Sequence, residues 1–311
     1  MLDVKRLRVL REVAARGSFS AAADSLDYTQ SAVSQQIAAL EREAGTRLVD
    51  RSARGVRPTE AGRALVRHAD VILARLADAE AELEALAGLR GGRLRLVSFA
   101  SAGATIMPRA IALFRERHPA VELSLEAAEP DEALAKVKAG EADVALTIDA
   151  PFCAVEDEGI EQVHLLEDPM YVAMPAGHPL AAKPKIRLGE LRDDAWIGGS
   201  RRGCPDTMIL LRACNAAGFE PRIAFHSDDY LAIQGFVAAG VGVSLIPDLA
   251  LLAVRDDVAI RAVSSRAPVR RINAATLRDG YRTVAVEAML DTLREVCADF
   301  ARDRQALALA S

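Results

Sequence analysis

The stretch Thr29-Gln30-Ser31-Ala32-Val33-Ser34-Gln35-Gln36-Ile37-Ala38-Ala39-Leu40-Glu41 decides how the N-terminal part of the chain folds. Val33, Ile37 and Leu40 fall on one stripe at helical spacing, while Gln30, Ser31, Ser34 and Gln35 project elsewhere, toward the N-terminal end. Thr29 stands where an N-cap is expected. Upstream, the short polar turn Asp27-Tyr28 follows Ala21-Ala22-Ala23-Asp24-Ser25-Leu26, with Ser20 as the expected cap. Three consecutive alanines leave room for a second helix to lie close. Farther back, Leu7, Leu10, Val13 and Ala14 keep helical spacing until Gly17 stops the pattern. A small-residue helix, a tight turn and a helix with a polar leading face form the helix-turn-helix pattern. The chemistry suits duplex DNA. Gln pairs bidentately with adenine, Ser donates or accepts at several base edges, and a Thr-capped helix start faces a phosphate well. A solvated polar helix would account for any one of these residues, but not for the arrangement.

Downstream, Arg51, Arg54 and Arg57 recur every third residue around Gly55, ending at Pro58-Thr59. An extended loop with that spacing would offer guanidinium groups to the DNA backbone or a minor groove, as a wing does. From Glu60 to Leu89 the residues Leu65, Ala69, Ile72, Leu76, Ala79, Leu83 and Leu86 are separated alternately by four and three positions. That is a heptad seam, flanked by Asp78, Glu80, Glu82 and Glu84. The helix would extend about 40 Å. A dimeric coiled coil is preferred to a helix packed on its own domain because the stripe is narrow and regular. Gly88 and Gly91-Gly92 mark its exit.

Beyond Gly92 the pattern changes to alternating strands and helices. Arg93 to Val97, Val121 to Leu125 and Val144 to Ile148 read as strands, with helices through Phe114 and over Asp131 to Ala139 between them. The scheme repeats from Met170 to Ile246, with helices near Asp206 to Ala217 and Tyr230 to Ala239. A strand near Ile272 to Leu277 and a helix from Thr283 to Arg302 close the chain. The expected class is therefore α/β with an all-α N-terminal module. Two α/β units imply a cleft between them. In open sheets ligands sit beyond strand C-termini, where helices begin. Three loops meet that rule and nominate Ser98, Ser101 and Thr105, then Ser200, Arg201 and Arg202, then Asp228. Arg201 and Arg202 would favour a carboxylate or other anion, so an anionic small-molecule ligand is the expectation.

The chain has 311 residues, 51% apolar and 27% charged, with a formal net charge of −5. This is the composition of a globular protein of two or more domains. Residues 1–60 carry 10 Lys and Arg against 8 Asp and Glu, whereas the remainder carries 29 against 36. A weakly basic N-terminal module is joined to an acidic remainder. Cys153, Cys204, Cys214 and Cys297 form no CxxC pair, which excludes a disulfide scaffold and leaves no expected metal site or cofactor. The start Met1-Leu2-Asp3-Val4-Lys5-Arg6 has no signal-peptide pattern, and the apolar stretch Leu231 to Ile246 reads as a buried helix and strand. A cytoplasmic protein without a membrane span is expected.

Ala22-Ala23, Leu26, Thr29-Gln30-Ser31-Ala32-Val33-Ser34, Ile37, Leu40-Glu41, Gly45, Leu48, Arg51, and Thr59 with Ala61-Gly62 resemble the winged helix-turn-helix signature of LysR-type transcriptional regulators. The signature spans about fifty positions without a gap and departs at Leu10 and Val49, where the family more often has Phe. Arg93-Leu94-Arg95, Ala139 to Ala145 and Val237 to Gly242 are similar to the family's effector domain, itself similar to periplasmic solute-binding proteins. The resemblance implies a winged helix-turn-helix over 1–60 and a linker and dimerisation helix over 61–89. A two-lobed effector domain would cover 91–311, with lobe I about 91–166 and 268–302 and lobe II about 167–267. It further implies a sequence-specific regulator, assembled as a dimer or homotetramer. Its partners would be double-stranded promoter DNA, RNA polymerase and an effector. Thr29, Gln30, Ser31, Ser34, Gln35, Arg51, Arg54 and Arg57 are the expected DNA contacts.

Two other classes compete. An enzyme is disfavoured because His68, His118 and His178 have no sequence-local nucleophile or metal partner and no phosphate-cradling Gly-rich loop is present. A redox sensor within the same family is the alternative. Cys204 and Cys214 flank a predicted helix, and Arg201 and Arg202 could lower a thiol pKa.

Overall fold

A computed structural model describes residues 2–52, 55–86, 92–150, 159–199, 204–264, 267–278 and 282–310. The chain divides into two compact units, Met1–Gly92 with Ala135–Ala142, and Arg93–Leu134 with Asp143–Ser311.

In the first unit, α1 (Val4–Arg16) is capped by Asp3, whose carboxylate accepts from the Lys5 and Arg6 amides, and is closed by Gly17 at φ 64°. α2 (Phe19–Leu26) begins two residues before the expected start, because Ser18 and not Ser20 is its cap. The earlier start puts Phe19 inside the helix and buried in the core. Asp27, at φ 56°, turns the chain toward α3 (Gln30–Ala44), whose N-cap is Thr29 as the sequence indicates. Val33, Ile37 and Leu40 are completely buried against Leu10, Val13 and Ala22. Alanine at positions 22 and 23 is what lets α2 lie this close to its neighbours.

The expected extended loop is instead an antiparallel hairpin, β1 (Val49–Ser52) with β2 (Gly55–Pro58), pairing Asp50 with Arg57 and Arg51 with Val56. The module is thus helical apart from this wing. A strand period of two governs the segment, so the three-residue arginine spacing does not define one line of side chains. α4 (Glu60–Leu86) follows at once. A Cβ on Gly62 would lie 1.9 Å from the Leu48 carbonyl oxygen, so only glycine lets α4 start against the wing. Leu65 and Ala69 pack into the core of this unit. The next seam residues do not, and Ile72, Leu76 and Leu83 are 41%, 45% and 66% exposed.

The second unit is built on β3 (Arg93–Ser98), α5 (Ala100–Arg117), β4 (Glu122–Ala127), α6 (Pro130–Lys138) and β5 (Val144–Asp149). A 16-residue strand, β6 (Ile160–Pro175), then runs through both lobes. Its first part pairs with β12 (Val269–Leu277) and its last part with β10 (Ser244–Pro247) and β11 (Val258–Val263). The sheet order is β4-β3-β5-β12-β6-β11-β7, where β7 is Lys185–Ile186. The second lobe adds β8 (Ala195–Gly198), α7 (Pro205–Ala216), β9 (Arg222–His226) and α8 (Tyr230–Ala238). The closing helix α9 (Val284–Ala310) extends past the predicted end and packs Met289, Leu290 and Leu293 on the first lobe's core. Trp196 and Leu210 lie in the core of the second lobe. No helix among the described residues is long and apolar enough to cross a membrane.

Candidate DNA interface and effector cleft

The leading end of α3 presents what its sequence promised. Thr29, Gln30, Ser31 and Gln35 are exposed, and Ser34 is half-buried. The Thr29 hydroxyl oxygen accepts from the Ala32 amide at 3.2 Å and lies 3.0 Å from Ser31 Oγ. The amides of Gln30 and Ser31 precede the first intrahelical acceptor, so they point along the axis from the positive end of the helix dipole. In the wing, Arg57 is exposed on β2 opposite Asp50. Arg51 lies in β1, while its side chain and Arg54 are outside the described residues.

The cleft lies between the two lobes and encloses about 550 Å³ of unfilled space, counting the solvent in its mouth. Apolar side chains, Phe99, Ile148, Ile197 and Leu210 among them, line it beside polar ones such as Ser101 and Asp228, and a polar network centred on Arg270 closes it. At the centre is Arg270 on β12, only 1% exposed. Its Nε donates to Asp168 Oδ2 at 2.7 Å, Nη1 to Asp206 Oδ2 at 3.0 Å and Nη2 to Ser101 Oγ at 2.6 Å. The Tyr230 hydroxyl also donates to Asp206, and Leu249 N donates to Asp168 Oδ1 at 3.1 Å. The guanidinium sits 5.3 Å from the centroid of the Phe99 ring, a cation–π distance. Burial disfavours the arginine cation, but the Asp206 and Asp168 carboxylates outweigh it and hold the guanidinium above its ordinary value. Burial, with the Asp206 charge, pushes the Tyr230 hydroxyl well up. The guanidinium is engaged on all three nitrogens, whereas the buried Asp206 Oδ1 has no hydrogen-bond partner among the described residues. The network therefore joins the first lobe (Ser101), the strands between lobes (Asp168 and Arg270) and the second lobe (Asp206 and Tyr230).

Among the expected effector residues, Ser101 and Asp228 line the cleft. Ser98 and Thr105 are buried and are not lining residues. The Ser98 hydroxyl donates to the Phe99 carbonyl at 3.2 Å and that of Thr105 to the Ser101 carbonyl at 2.7 Å. Ser200, Arg201 and Arg202 fall outside the described residues. Sequence reasoning missed Arg270, Asp168, Asp206 and Tyr230. The available signal was Arg270, which shares alternate positions with Ile272 and Ala274 on the face of a strand otherwise fit for burial.

The cysteine alternative does not survive the geometry. Cys204 is the N-cap of α7 and Cys214 lies in the same helix, ten residues on. Ten residues of α-helix rise about 15 Å, whereas a disulfide needs Cα atoms within about 7 Å. Both thiols are free. The pKa is not lowered either, since burial, with Asp206 adding to it, pushes the Cys204 thiol up to about 11. Burial alone pushes Cys214 up to about 12.

Comparison with known proteins agrees with this construction. Residues 4–63 match the family model for bacterial regulatory helix-turn-helix proteins of the lysR family, and residues 87–298 match the LysR substrate binding domain. The probable HTH-type transcriptional regulator LrrA of Synechococcus elongatus is 32% identical over 296 residues, covering 94% of this chain and 97% of that protein. The transcriptional dual regulator GltC of Bacillus subtilis is 29% identical over 251 residues, covering 79% of this chain and 81% of that one. Among solved structures, a full-length OxyR variant from Pseudomonas aeruginosa superposes with a TM-score of 0.74 at 25% identity, covering 94% and 95% of the two chains. CbnR, a LysR family transcriptional regulator, shares the fold when complexed with its target DNA, with a TM-score of 0.70 at 23% identity over 95% of this chain and 100% of that one. A winged helix-turn-helix followed by a two-lobed effector-binding domain, matched along nearly its whole length, makes this chain a member of the LysR-type family of DNA-binding transcriptional regulators.

Proposed function

We propose that Gln30, Ser31, Ser34 and Gln35 read base edges in the major groove, with Thr29 and the α3 N-terminus against a phosphate. In the same reading Arg51, Arg54 and Arg57 engage the DNA backbone or minor groove. The exposed polar leading face of α3, set over a completely buried apolar stripe, carries this reading. The shared fold of a CbnR bound to its target DNA supports it. The division of labour follows: 1–60 as DNA reader, 61–89 as dimerising linker and 91–311 as effector domain, with lobes of about 91–166 plus 268–302 and about 167–267. Two heads paired by the linker would read half-sites of a short inverted repeat, and two dimers would make a homotetramer. Effector binding then favours one arrangement of subunits by differential affinity and changes contacts with promoter DNA and RNA polymerase.

Selection of duplexes from a random library tests the DNA half. Gln30→Ala and Ser34→Ala should flatten base preference at the positions they face, by about 1–3 kcal/mol for a bidentate pair. Arg51→Ala, Arg54→Ala and Arg57→Ala should weaken all sequences alike and reduce the salt slope by about 1 for each phosphate no longer neutralised. Equal effects of all five changes on selected and random DNA would refute the recognition-helix assignment.

For the effector, the finer reading is a small anion held by Arg201 and Arg202, with Ser101, Ser200 and Asp228 around it, while the buried Ser98 and Thr105 stand behind the cleft surface. Ser101 and Asp228 in the cleft wall support the placement. Calorimetric titration with a carboxylate panel should give binding that Arg201→Ala or Arg202→Ala weakens, and binding indifferent to both would remove the anion from the proposal.

A further inference from the structure

Glu41 lies on α3, four residues before the helix-closing Gly45, and its carboxylate is committed to the wing. A single oxygen, Oε1, accepts from the Leu48 amide at 2.8 Å and from the Val49 amide at 3.2 Å, consecutive groups at the entry to β1. Its backbone carbonyl accepts from the amides of Gly45 and Thr46. One residue thus seats the entire turn from recognition helix to wing. Leu48 and Val49 are buried, so an amide deprived of its acceptor there would carry a desolvation cost. The other strand is tied to the end of α1 and, through Thr59, to the β1 entry itself. Val56 N donates to the Gly17 carbonyl at 2.9 Å, and Thr59 N donates to the Leu48 carbonyl at 3.0 Å. The Thr59 hydroxyl donates to the Arg47 carbonyl at 2.8 Å. Among the described residues, the side-chain carboxylate that ties the wing to α3 acts on the β1 side.

A negative charge in a head that binds a polyanion opposes association if it acts by charge alone. Any favourable contribution to DNA affinity has to come through geometry. We propose that Glu41 is the positioning residue of the wing, setting the hairpin against α3 so that Arg57 meets the DNA backbone while Gln30 to Gln35 meet base edges. The proposal rests on the assignment of Arg57 to DNA made above.

The test uses the full-length protein and a duplex that the wild type selects from a random library, with affinity followed by fluorescence anisotropy from about 50 to 200 mM salt. Glu41→Ala should make the salt dependence shallower by about 0.9 for each phosphate that the wing no longer reaches, matching Arg57→Ala, and should leave the selected base sequence unchanged. The double variant Glu41→Ala/Arg57→Ala should bind no more weakly than Glu41→Ala alone, the non-additivity of two residues acting through one DNA phosphate. Glu41→Gln should restore the wild-type slope, because an amide oxygen accepts the same two N–H groups. If Glu41→Ala does not fold, Glu41→Asp carries the test, since one methylene fewer withdraws the oxygen from both amides while keeping the charge. An unchanged slope in the alanine or aspartate variant, a shifted base preference, or full additivity with Arg57→Ala overturns the proposal. A slope untouched by Arg57→Ala overturns the wing assignment and the proposal together.

Discussion

Cys214 shows how a single residue changes meaning with its surroundings. Ten residues from a second cysteine it suggests a redox pair; on the inner face of α7, with none of its surface exposed, it is a small apolar filler. Its thiol, pushed from an ordinary 9.0 up to about 12 by burial, titrates later in the folded chain than in the unfolded one. Across that window the folded state holds a proton that the unfolded state has released, so stability falls as pH rises. The contribution is complete below pH 9.0 and is lost toward about 12. Urea midpoints measured across this range should decline less steeply in Cys214→Ala than in the wild type. Parallel curves would show that the thiol is not the titrating group. Mild peroxide should form no Cys204–Cys214 bond while α7 is folded, as peptide mass mapping would check.

At the scale of elements, α4 does two jobs along its length. Its first turns belong to the reading head, where Leu65 and Ala69 pack with Leu7, Val9 and Leu10. At Ile72, Leu76, Ala79 and Leu83 the heptad seam is exposed, and Leu83 has two thirds of its surface exposed. An apolar stripe at this spacing is satisfied by a second helix. Leu76→Asp with Leu83→Asp should therefore yield monomers in sedimentation velocity while circular dichroism keeps the helical signal. Ala69→Asp should instead unfold the head, since it buries a charge in a closed core. A dimer that persists in the double variant would move the main interface elsewhere. α3 and α4 are legible in the sequence because helix periodicity and capping are local signals, contained in Thr29 to Glu41 and Leu65 to Leu83. β6 is not, because Glu161, Glu167 and Asp168 interrupt its apolar pattern, and the burial that makes it a strand comes from β12, over a hundred residues away. The cleft floor is hidden for the same reason. Asp168 and Arg270 are 102 residues apart and carry no signature of each other until the lobes form.

For the whole molecule, the acidic bias of the residues beyond position 60 is partly internal, and the Arg270 network is where it matters most. Asp168 and Arg270 are 0% and 1% exposed as side chains, so neither charge has water as an alternative partner. Breaking such a pair from one side is far more costly than the pair is worth, because the remaining charge stays buried and unpaired. Arg270→Met should destabilise the effector domain by about 3–5 kcal/mol, the range for an orphaned buried ion. Asp168→Asn added to Arg270→Met should recover part of that loss, because the amide oxygen still accepts from Leu249 N and the carboxylate left without its guanidinium is then Asp206, which is partly exposed and keeps the Tyr230 hydroxyl. The chain has one tryptophan, Trp196, completely buried in the second lobe with its Nε1 donating to the Leu191 carbonyl. Its fluorescence in urea therefore reports the second lobe directly. Ser101 ties the same network to the first lobe, so the loss should appear both in tryptophan fluorescence and in helical circular dichroism from α5 and α9. A shift confined to fluorescence would mean that Arg270 stabilises the second lobe alone and that the two lobes are coupled by the shared strands β6 and β12 without it.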